Sequence, residues 1–204
     1  MHTRENALCE WVKTIYPNIP HTIKPLTGDA SFRRYFRLHL PNHTEVIMDA
    51  PPEKETLLPF ITVSQKLTDG GIAIPMIHHV EQTQGFALLD DFGDTLLLQA
   101  LSHSNADELY RLAMTTLTKI QQCAITNPSL PTFDKAFMLT ELSYFHDWFL
   151  QGYLELSLSP QETHLLNNAF DWLTDSIASQ PQTFIHRDYH SRNIMLLSPK
   201  EAHH

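Results

Sequence analysis

The chain has 204 residues, enough for one large domain or two small lobes, and apolar residues make up 42% of it. Its formal net charge of −9 argues against a nucleic-acid or anionic-membrane partner, because phosphate-rich surfaces need clustered Lys and Arg. That balance leaves room for a small anionic ligand, which needs only local positive charge. Cys9 and Cys123 are far apart and show neither metal-ligand nor redox spacing, which fits a reduced cytoplasm. The N-terminus lacks the apolar core of a signal peptide, and no run approaches the ~18 apolar residues of a membrane span. The expectation is a soluble cytoplasmic protein.

Ala7, Leu8, Trp11, Val12 and Ile15 recur at helical spacing over residues 5–16, and Pro17 and Pro20 end that helix. From His21 to Leu40 the pattern is extended, with Gly28-Asp29-Ala30 interrupting it as a turn would. Val46-Ile47-Met48 is a third short strand. Pro51-Pro52, followed by Glu53 and Glu55, predicts the start of a helix that runs to about Thr68 and stops at Gly70-Gly71. Ile77–Val80 and Phe86–Leu89 read as two strands joined through Thr83-Gln84-Gly85. The chain then turns helical. Ser104, with Asp107 three residues on, predicts a cap for a helix over 106–123. An aromatic-rich helical stretch covers 134–156. Ser159-Pro160-Gln161-Glu162 opens another helix, with Leu165, Leu166, Ala169, Phe170, Leu173 and Ile177 predicted as its buried face. Thr183–Ile185 and Ile194–Leu197 read as strands around a polar loop.

That loop, His186-Arg187-Asp188-Tyr189-His190-Ser191-Arg192-Asn193, carries the strongest chemical signal. The pattern H-R-D-x-H-x-x-N is that of the catalytic loop of kinase-fold phosphotransferases. There the Asp accepts a proton from the substrate hydroxyl, and the Asn five residues on holds a metal ion bound to the nucleotide phosphates. Protein kinases usually place Lys two residues after the Asp. The His190 found here resembles the aminoglycoside phosphotransferase and choline kinase group, which acts on small molecules.

The other parts are less specific. Gly28 to Ser31 lie where a phosphate-covering loop would sit between the first two strands, and their backbone amides could cradle phosphates. A plain hairpin accounts for the same residues. Arg33 or Arg34 could add charge there, or serve only in surface ion pairs. Asp91-Phe92-Gly93 spells a kinase metal motif but precedes the catalytic loop by about a hundred residues, whereas the functional motif follows that loop. Leu88-Leu89-Asp90-Asp91-Phe92-Gly93-Asp94 instead looks like the connection between lobes in small-molecule kinases, whose backbone would bond adenine. Met48 stands near the position of the usual strand lysine, so another cation must substitute or nucleotide binding is weakened. None of the eleven residues after Asn193 is Asp, which leaves the second metal position without its carboxylate. Ile194–Leu197 is also expected to lack its hairpin partner and the helices it should pack against, and so to stay exposed.

Gly28-Asp29-Ala30-Ser31-Phe32-Arg33-Arg34-Tyr35-Phe36, Met48-Asp49-Ala50-Pro51-Pro52-Glu53-Lys54-Glu55 and the loop 186–193 together resemble one branch of the aminoglycoside phosphotransferase family. That branch holds the bacterial anomeric kinases of N-acetylmuramate and N-acetylglucosamine used in cell-wall recycling. The resemblance implies an α+β, protein-kinase-like two-lobed fold. Residues 1–90 would form a small nucleotide-binding lobe with an antiparallel sheet, and residues 91–204 an incomplete, mostly helical lobe. It implies ATP and Mg²⁺ as cofactors and an amino sugar as acceptor. The implied catalytic set is Asp188, His190 and Arg187. Gly28, Asp29, Ala30, Ser31, Arg33, Leu89 and Asp90 would bind nucleotide, and Asn193 the metal. Family members run further, so the chain is expected to be a truncated and inactive form. A catalytically dead binding remnant and an aminoglycoside or choline-type kinase are the alternatives.

Overall fold

The computed structural model describes residues 3–26, 32–124 and 130–197. The chain divides into two compact units, one of residues 1–125 with 184–204 and one of residues 126–183. Residues 90 and 91, where the sequence reading divides the lobes, both lie in the first unit, as does the catalytic-type loop.

The first unit is built on a five-stranded antiparallel sheet in the order β1-β2-β3-β5-β4. The strands are β1 (Thr22–Leu26), β2 (Arg34–His39), β3 (Thr44–Asp49), β4 (Ile77–Glu81) and β5 (Phe86–Asp90). All five expected strands are present. The central strand β3 shows why both sheet faces are covered. Its alternate residues Glu45, Ile47 and Asp49 meet helix α1 (Thr3–Ile15), while Met48 and Val46 face helix α2 (Leu58–Asp69). On the α1 side Leu8, Trp11 and Val12, spaced for one helix face, pack on Phe36, Leu38, Ile47, Phe86 and Leu88. The Trp11 and Phe86 rings meet at a tilt of 33°, with centroids 5.5 Å apart. Each fully buried side chain of this kind contributes roughly 1.5–3 kcal/mol.

Two polar groups are buried with this apolar layer because each has partners. Glu45 accepts from the Tyr16 hydroxyl at 2.9 and 2.8 Å. Burial, then the Glu45 carboxylate, pushes the Tyr16 phenol up to about 12. A raised folded pKa stabilises fully below the unfolded value near 10 and is lost as pH rises through 12. Tyr16→Phe should therefore flatten the fall in stability across that alkaline window, measured by urea unfolding at stepped pH. An unchanged slope would show that Tyr16 does not set it. Asp49 is fully buried and bound by Arg4 and Arg34.

Helix α2 begins at Leu58, later than Pro51-Pro52 suggested. Residues 51–55 close a separate turn, with Lys54 and Glu55 amides donating to the Pro51 carbonyl. The proline in the first turn of the helix is Pro59, where the missing N–H has no helical partner to lose. The helix stops as expected at Gly70-Gly71, where Gly71 takes φ +68° and its amide donates to the Thr68 carbonyl. The β4–β5 turn closes on Gly85 at φ +74°, and the Gly85 carbonyl accepts from the Ala50 amide at 2.8 Å. A Cβ at this glycine would lie 1.9 Å from the Ala50 carbonyl oxygen. Gly85→Ala combines that backbone clash with a left-handed conformation, and should cost about 2 kcal/mol or more. A thermal midpoint within error of the parent protein would refute this.

Helix α3 (Leu97–Ala100) leads to α4 (Ala106–Gln121). The residue before α4 is Asn105, not Ser104 as predicted. Asn105 knits the approach by accepting from the Ser102 amide at 2.7 Å and donating to the Ala100 carbonyl at 2.9 Å.

The second unit holds α5 (Lys135–Tyr144), a π-helical segment (Phe145–Tyr153) and α6 (Pro160–Ala178). The predicted start of α6 is present as a reciprocal cap. The Ser159 amide donates to Glu162 at 2.8 Å, and the Glu162 amide to the Ser159 hydroxyl at 3.3 Å. Its covered face differs from the prediction. Thr163, Leu166 and Phe170 are half-buried and Thr174 is fully buried, whereas Leu165 is 70% exposed and Ala169, Leu173 and Ile177 are also exposed. Thr174 tolerates burial because its hydroxyl donates to the Phe170 and Asp171 carbonyls. No helix among the described residues is long and apolar enough to cross a membrane.

Candidate active site

The loop 186–193 is held from three sides within the first unit. Tyr189 donates its hydroxyl to the Ala113 carbonyl of α4 at 2.7 Å. Its ring and Phe184 pack against Leu67, Ile72, Ile120 and Cys123. His186 sets its ring edge against Tyr189, with centroids 5.4 Å apart at 74°. Burial there holds the His186 pKa below the ordinary histidine value; His190 lowers it further, and Asp188 opposes the shift. Beyond the loop, Leu96 and Met195 form an antiparallel bridge. The Leu97 amide donates to Ile194 at 2.8 Å, Leu98 to Ser191 at 2.9 Å, and Leu196 to Thr95 at 2.9 Å.

Two expectations are corrected here. The segments flanking the loop are not regular strands: 183–185 is irregular, and 194–197 contributes one isolated bridge. Nor does Ile194–Leu197 lack a partner, since residues 95–97 supply one and leave it half-buried. Sequence reading looked for that partner after the loop, and it comes from about a hundred residues before it.

The loop brings Asp188, His190 and Asn193 together. The Asn193 side-chain amide donates to Asp188 Oδ2 at 2.6 Å and to the Asp188 carbonyl at 3.0 Å. His190 Nε2 lies 3.1 Å from Asp188 Oδ1, and the Arg192 amide donates to His190 Nδ1 at 3.2 Å. His190 Nε2 also lies 3.4 Å from the Asn193 side-chain nitrogen, so the ring sits against both Asp188 and Asn193 while Nδ1 accepts from the Arg192 amide. His190 thus stands beside the Asp188 carboxylate on one side and the Asn193 amide on the other. The Asp188 side chain remains 70% exposed, open to an incoming hydroxyl. Arg187, just before it, has φ +71°. A left-handed non-glycine residue stores about 1–2 kcal/mol, and such strain recurs at functional sites.

The remaining expected site residues are placed as follows. Gly28, Asp29, Ala30 and Ser31 lie outside the described residues. Arg33 forms a bidentate pair with Glu55 at 2.6 and 3.1 Å and lies over the Phe60 ring. The Glu55 hydrogen bond raises the Arg33 pKa. Arg34 is bound to Asp49 and Glu5. Leu89 is buried in β5. Asp90 ties down the start of β4: its carboxylate accepts from the Met76 amide at 2.9 Å and meets His78 Nε2 at 2.7 Å. Met48 is fully buried beside Ala50, Leu57, Ala87 and Leu89, so β3 offers no cation at that point. Among the described residues no group of three or more His, Cys, Asp or Glu side chains could hold a metal.

Sequence reasoning missed Arg37. It grips the connection after β5 through Asp91 at 2.6 and 3.1 Å and Asp94 at 2.9 and 3.0 Å. Burial alone would raise the Asp91 carboxyl. Arg37, the Thr44 hydroxyl and the Gly93 amide outweigh it and hold Asp91 below the usual range. No local pattern singles out an arginine in mid-strand whose partners come 54 and 57 residues later.

The profile of the phosphotransferase enzyme family matches residues 22–202. The chain belongs to this family. Within it, the chain is 38% identical over 180 residues to the N-acetylmuramate/N-acetylglucosamine kinase of Pseudomonas aeruginosa PAO1, covering 88% of this chain and 53% of that protein. It is 32% identical to the kinase of the same name from Neisseria meningitidis serogroup B, covering 95% of this chain and 58% of that one. The chain therefore spans about half the length of the curated relatives it matches. Among solved structures, a Ralstonia eutropha JMP134 protein described as an aminoglycoside phosphotransferase matches with TM-score 0.65 at 13% identity, over 97% of this chain and 61% of that one. Spectinomycin phosphotransferase APH(9)-Ia, solved with ADP and spectinomycin, matches with TM-score 0.59 at 14% identity, over 96% of this chain and 66% of that one. At such identities these structures establish the fold, which for this phosphotransferase-family chain is the kinase-like α+β fold.

Proposed function

We propose that this chain forms the nucleotide-binding and catalytic-loop part of a cytoplasmic, ATP-dependent kinase that phosphorylates a hydroxyl of an amino sugar in cell-wall recycling. The observation that carries the reading is the Asp188–His190–Asn193 cluster. Its carboxylate is exposed, is held by the Asn193 amide and lies 3.1 Å from the His190 ring, which suits it to accept a hydroxyl proton. The relatives at 32–38% identity favour an amino sugar over choline or an aminoglycoside.

In this reading Asp188 orients the acceptor hydroxyl and takes its proton, and His190 holds Asp188 in place. Asn193 commits its nitrogen to Asp188, and its amide oxygen is a donor suited to a hard cation. Asn193 would thus hold a Mg²⁺, leaving Asp188 free for the proton. ATP supplies the transferred phosphoryl group, and bound Mg²⁺ offsets its charge. Backbone amides of Gly28, Asp29, Ala30 and Ser31, with Arg33, would face the phosphates. The backbone of the Leu89–Gly93 connection, including Asp90, would face adenine between a small lobe ending near residue 90 and a helical lobe beyond it. Arg187 completes the catalytic set by its strained backbone, which starts the turn into Asp188.

None of residues 194–204 is Asp, which favours a second statement: as a separate polypeptide the 204-residue chain transfers phosphate poorly. Both statements are tested by phosphate transfer from ATP to N-acetylmuramate, N-acetylglucosamine, choline and aminoglycosides. The gene product containing this chain and the chain alone are compared. Preference for choline or an aminoglycoside would overturn the amino-sugar reading. Equal turnover by the 204-residue chain would overturn the second.

A further inference from the structure

From the way the sheet meets the loop, we infer that Arg37 is the positioning residue of the catalytic loop, although it lies on a strand of the sheet and touches no loop residue. The name catalytic loop rests on the function proposed above; the mechanical role of Arg37 does not.

The chain of observations is continuous. Arg37 projects from β2 and is itself largely buried, with 17% of its side chain exposed. Its guanidinium grips Asp91 in the fork-to-fork geometry that fixes orientation as well as distance. Asp91 is 4% exposed, so this pair is shielded from solvent, whereas Asp94 is 78% exposed and forms the outer, weaker pair. A further bond runs from Arg37 Nη2 to the Gly93 carbonyl at 3.2 Å. Within the turn, the Gly93 amide donates to Asp91 Oδ1 at 2.9 Å, and Gly93 takes φ +77°. Arg37 therefore fixes the direction in which the chain leaves β5.

The residues that follow at once, Thr95 to Leu98, are those on which the loop hangs. The Leu97 amide donates to Ile194, Leu98 to Ser191, and Leu196 to Thr95. Ser191 and Ile194 bracket Asn193, whose side chain holds Asp188. A shift of residues 94–98 is thus passed by three backbone hydrogen bonds to the residues beside Asn193. The loop is also anchored to α4 through Tyr189, the residue next to Asp188. Losing the Arg37 clamp would release one anchor and leave the other.

Amide hydrogen exchange on the full chain tests this. In Arg37→Gln, exchange at Leu97, Leu98 and Leu196 should quicken about tenfold or more, while the β2–β3 ladder keeps its protection. Arg37→Lys keeps the charge, but a single ammonium cannot reproduce the fork, so exchange there should fall between the two. Asp94→Asn removes only the exposed pair and serves where Arg37→Gln folds poorly; it should quicken the same three amides by a smaller factor. Unchanged exchange at those amides in Arg37→Gln, or in both other variants, overturns the inference. So does acceleration spread equally over the β2–β3 ladder, which would make Arg37 a general stabiliser. The exchange pattern is read without turnover, so a parent protein that transfers no phosphate would sink the kinase reading alone.

Discussion

Replacing Asp188 by Asn is expected to lower phosphate transfer by about 10²–10⁴-fold while ATP affinity stays within a few-fold, in the gene product that contains this chain. The carboxylate is exposed, the Asn193 amide donates to it, and the His190 ring lies 3.1 Å away. Asn has the same shape but cannot take a proton. It also offers one acceptor where Asp188 offers two, so it must turn its own NH₂ toward either Asn193 or His190. That mismatch could disturb the loop independently of chemistry. His190→Ala separates the effects. It removes the ring beside Asp188 Oδ1 yet leaves the carboxylate, and should reduce turnover by about tenfold with the pH profile unmoved. Near-normal turnover in Asp188→Asn would show that Asp188 is not the base. A shifted pH profile in His190→Ala would transfer the proton-accepting role to the imidazole.

The largest expected loss of stability is at Asp49. Asp49→Ala should cost about 3–5 kcal/mol, which for a protein of this size lowers the thermal midpoint by roughly 10 °C. Asp49 has no exposed side-chain surface and is gripped by Arg4 at 2.7 Å and Arg34 at 2.7 Å. The cost does not measure an intrinsically strong ion pair. It arises because two guanidiniums are left facing a cavity without the Asp49 charge, Arg34 keeping only its exposed partner Glu5. Arg4 and Arg34 are 27% and 42% exposed, so water can recover part of their solvation, which places the loss near the lower end. Arg4 also donates to the Gln84 carbonyl at 2.7 Å and lies 4.9 Å from the Phe86 ring centroid, so it ties α1 to the β4–β5 turn. Arg4→Met and Arg34→Met should each cost less than Asp49→Ala. Chemical unfolding followed by circular dichroism is the measurement, and a loss below about 1 kcal/mol would place the Asp49 cluster among ordinary surface pairs.

Some features were legible because their causes are local. The five strands follow from short alternating or apolar runs broken by glycine and proline. The cap of α6 follows from Ser159 and Glu162 three residues apart. The Asp188–His190–Asn193 cluster lies within six residues, so its motif and its geometry are nearly the same thing. By itself, then, the sequence determined the five strands of the sheet, the reciprocal cap of α6, the grouping of Asp188, His190 and Asn193 in one loop, and the family that shares them. Tertiary structure decided everything that depends on residues meeting across long separations. Asp49 finds Arg4 across 45 positions, Arg37 finds Asp91 across 54, and Tyr189 finds Ala113 across 76. It also chose the covered face of α6, because a helix with Leu165, Leu166, Phe170, Trp172 and Leu173 around its circumference offers more than one apolar stripe. The partner of Ile194–Leu197 was decided in the same way. Backbone hydrogen bonds carry no side-chain identity, so no residue type in Thr95–Leu98 marks it as the segment that receives the catalytic loop.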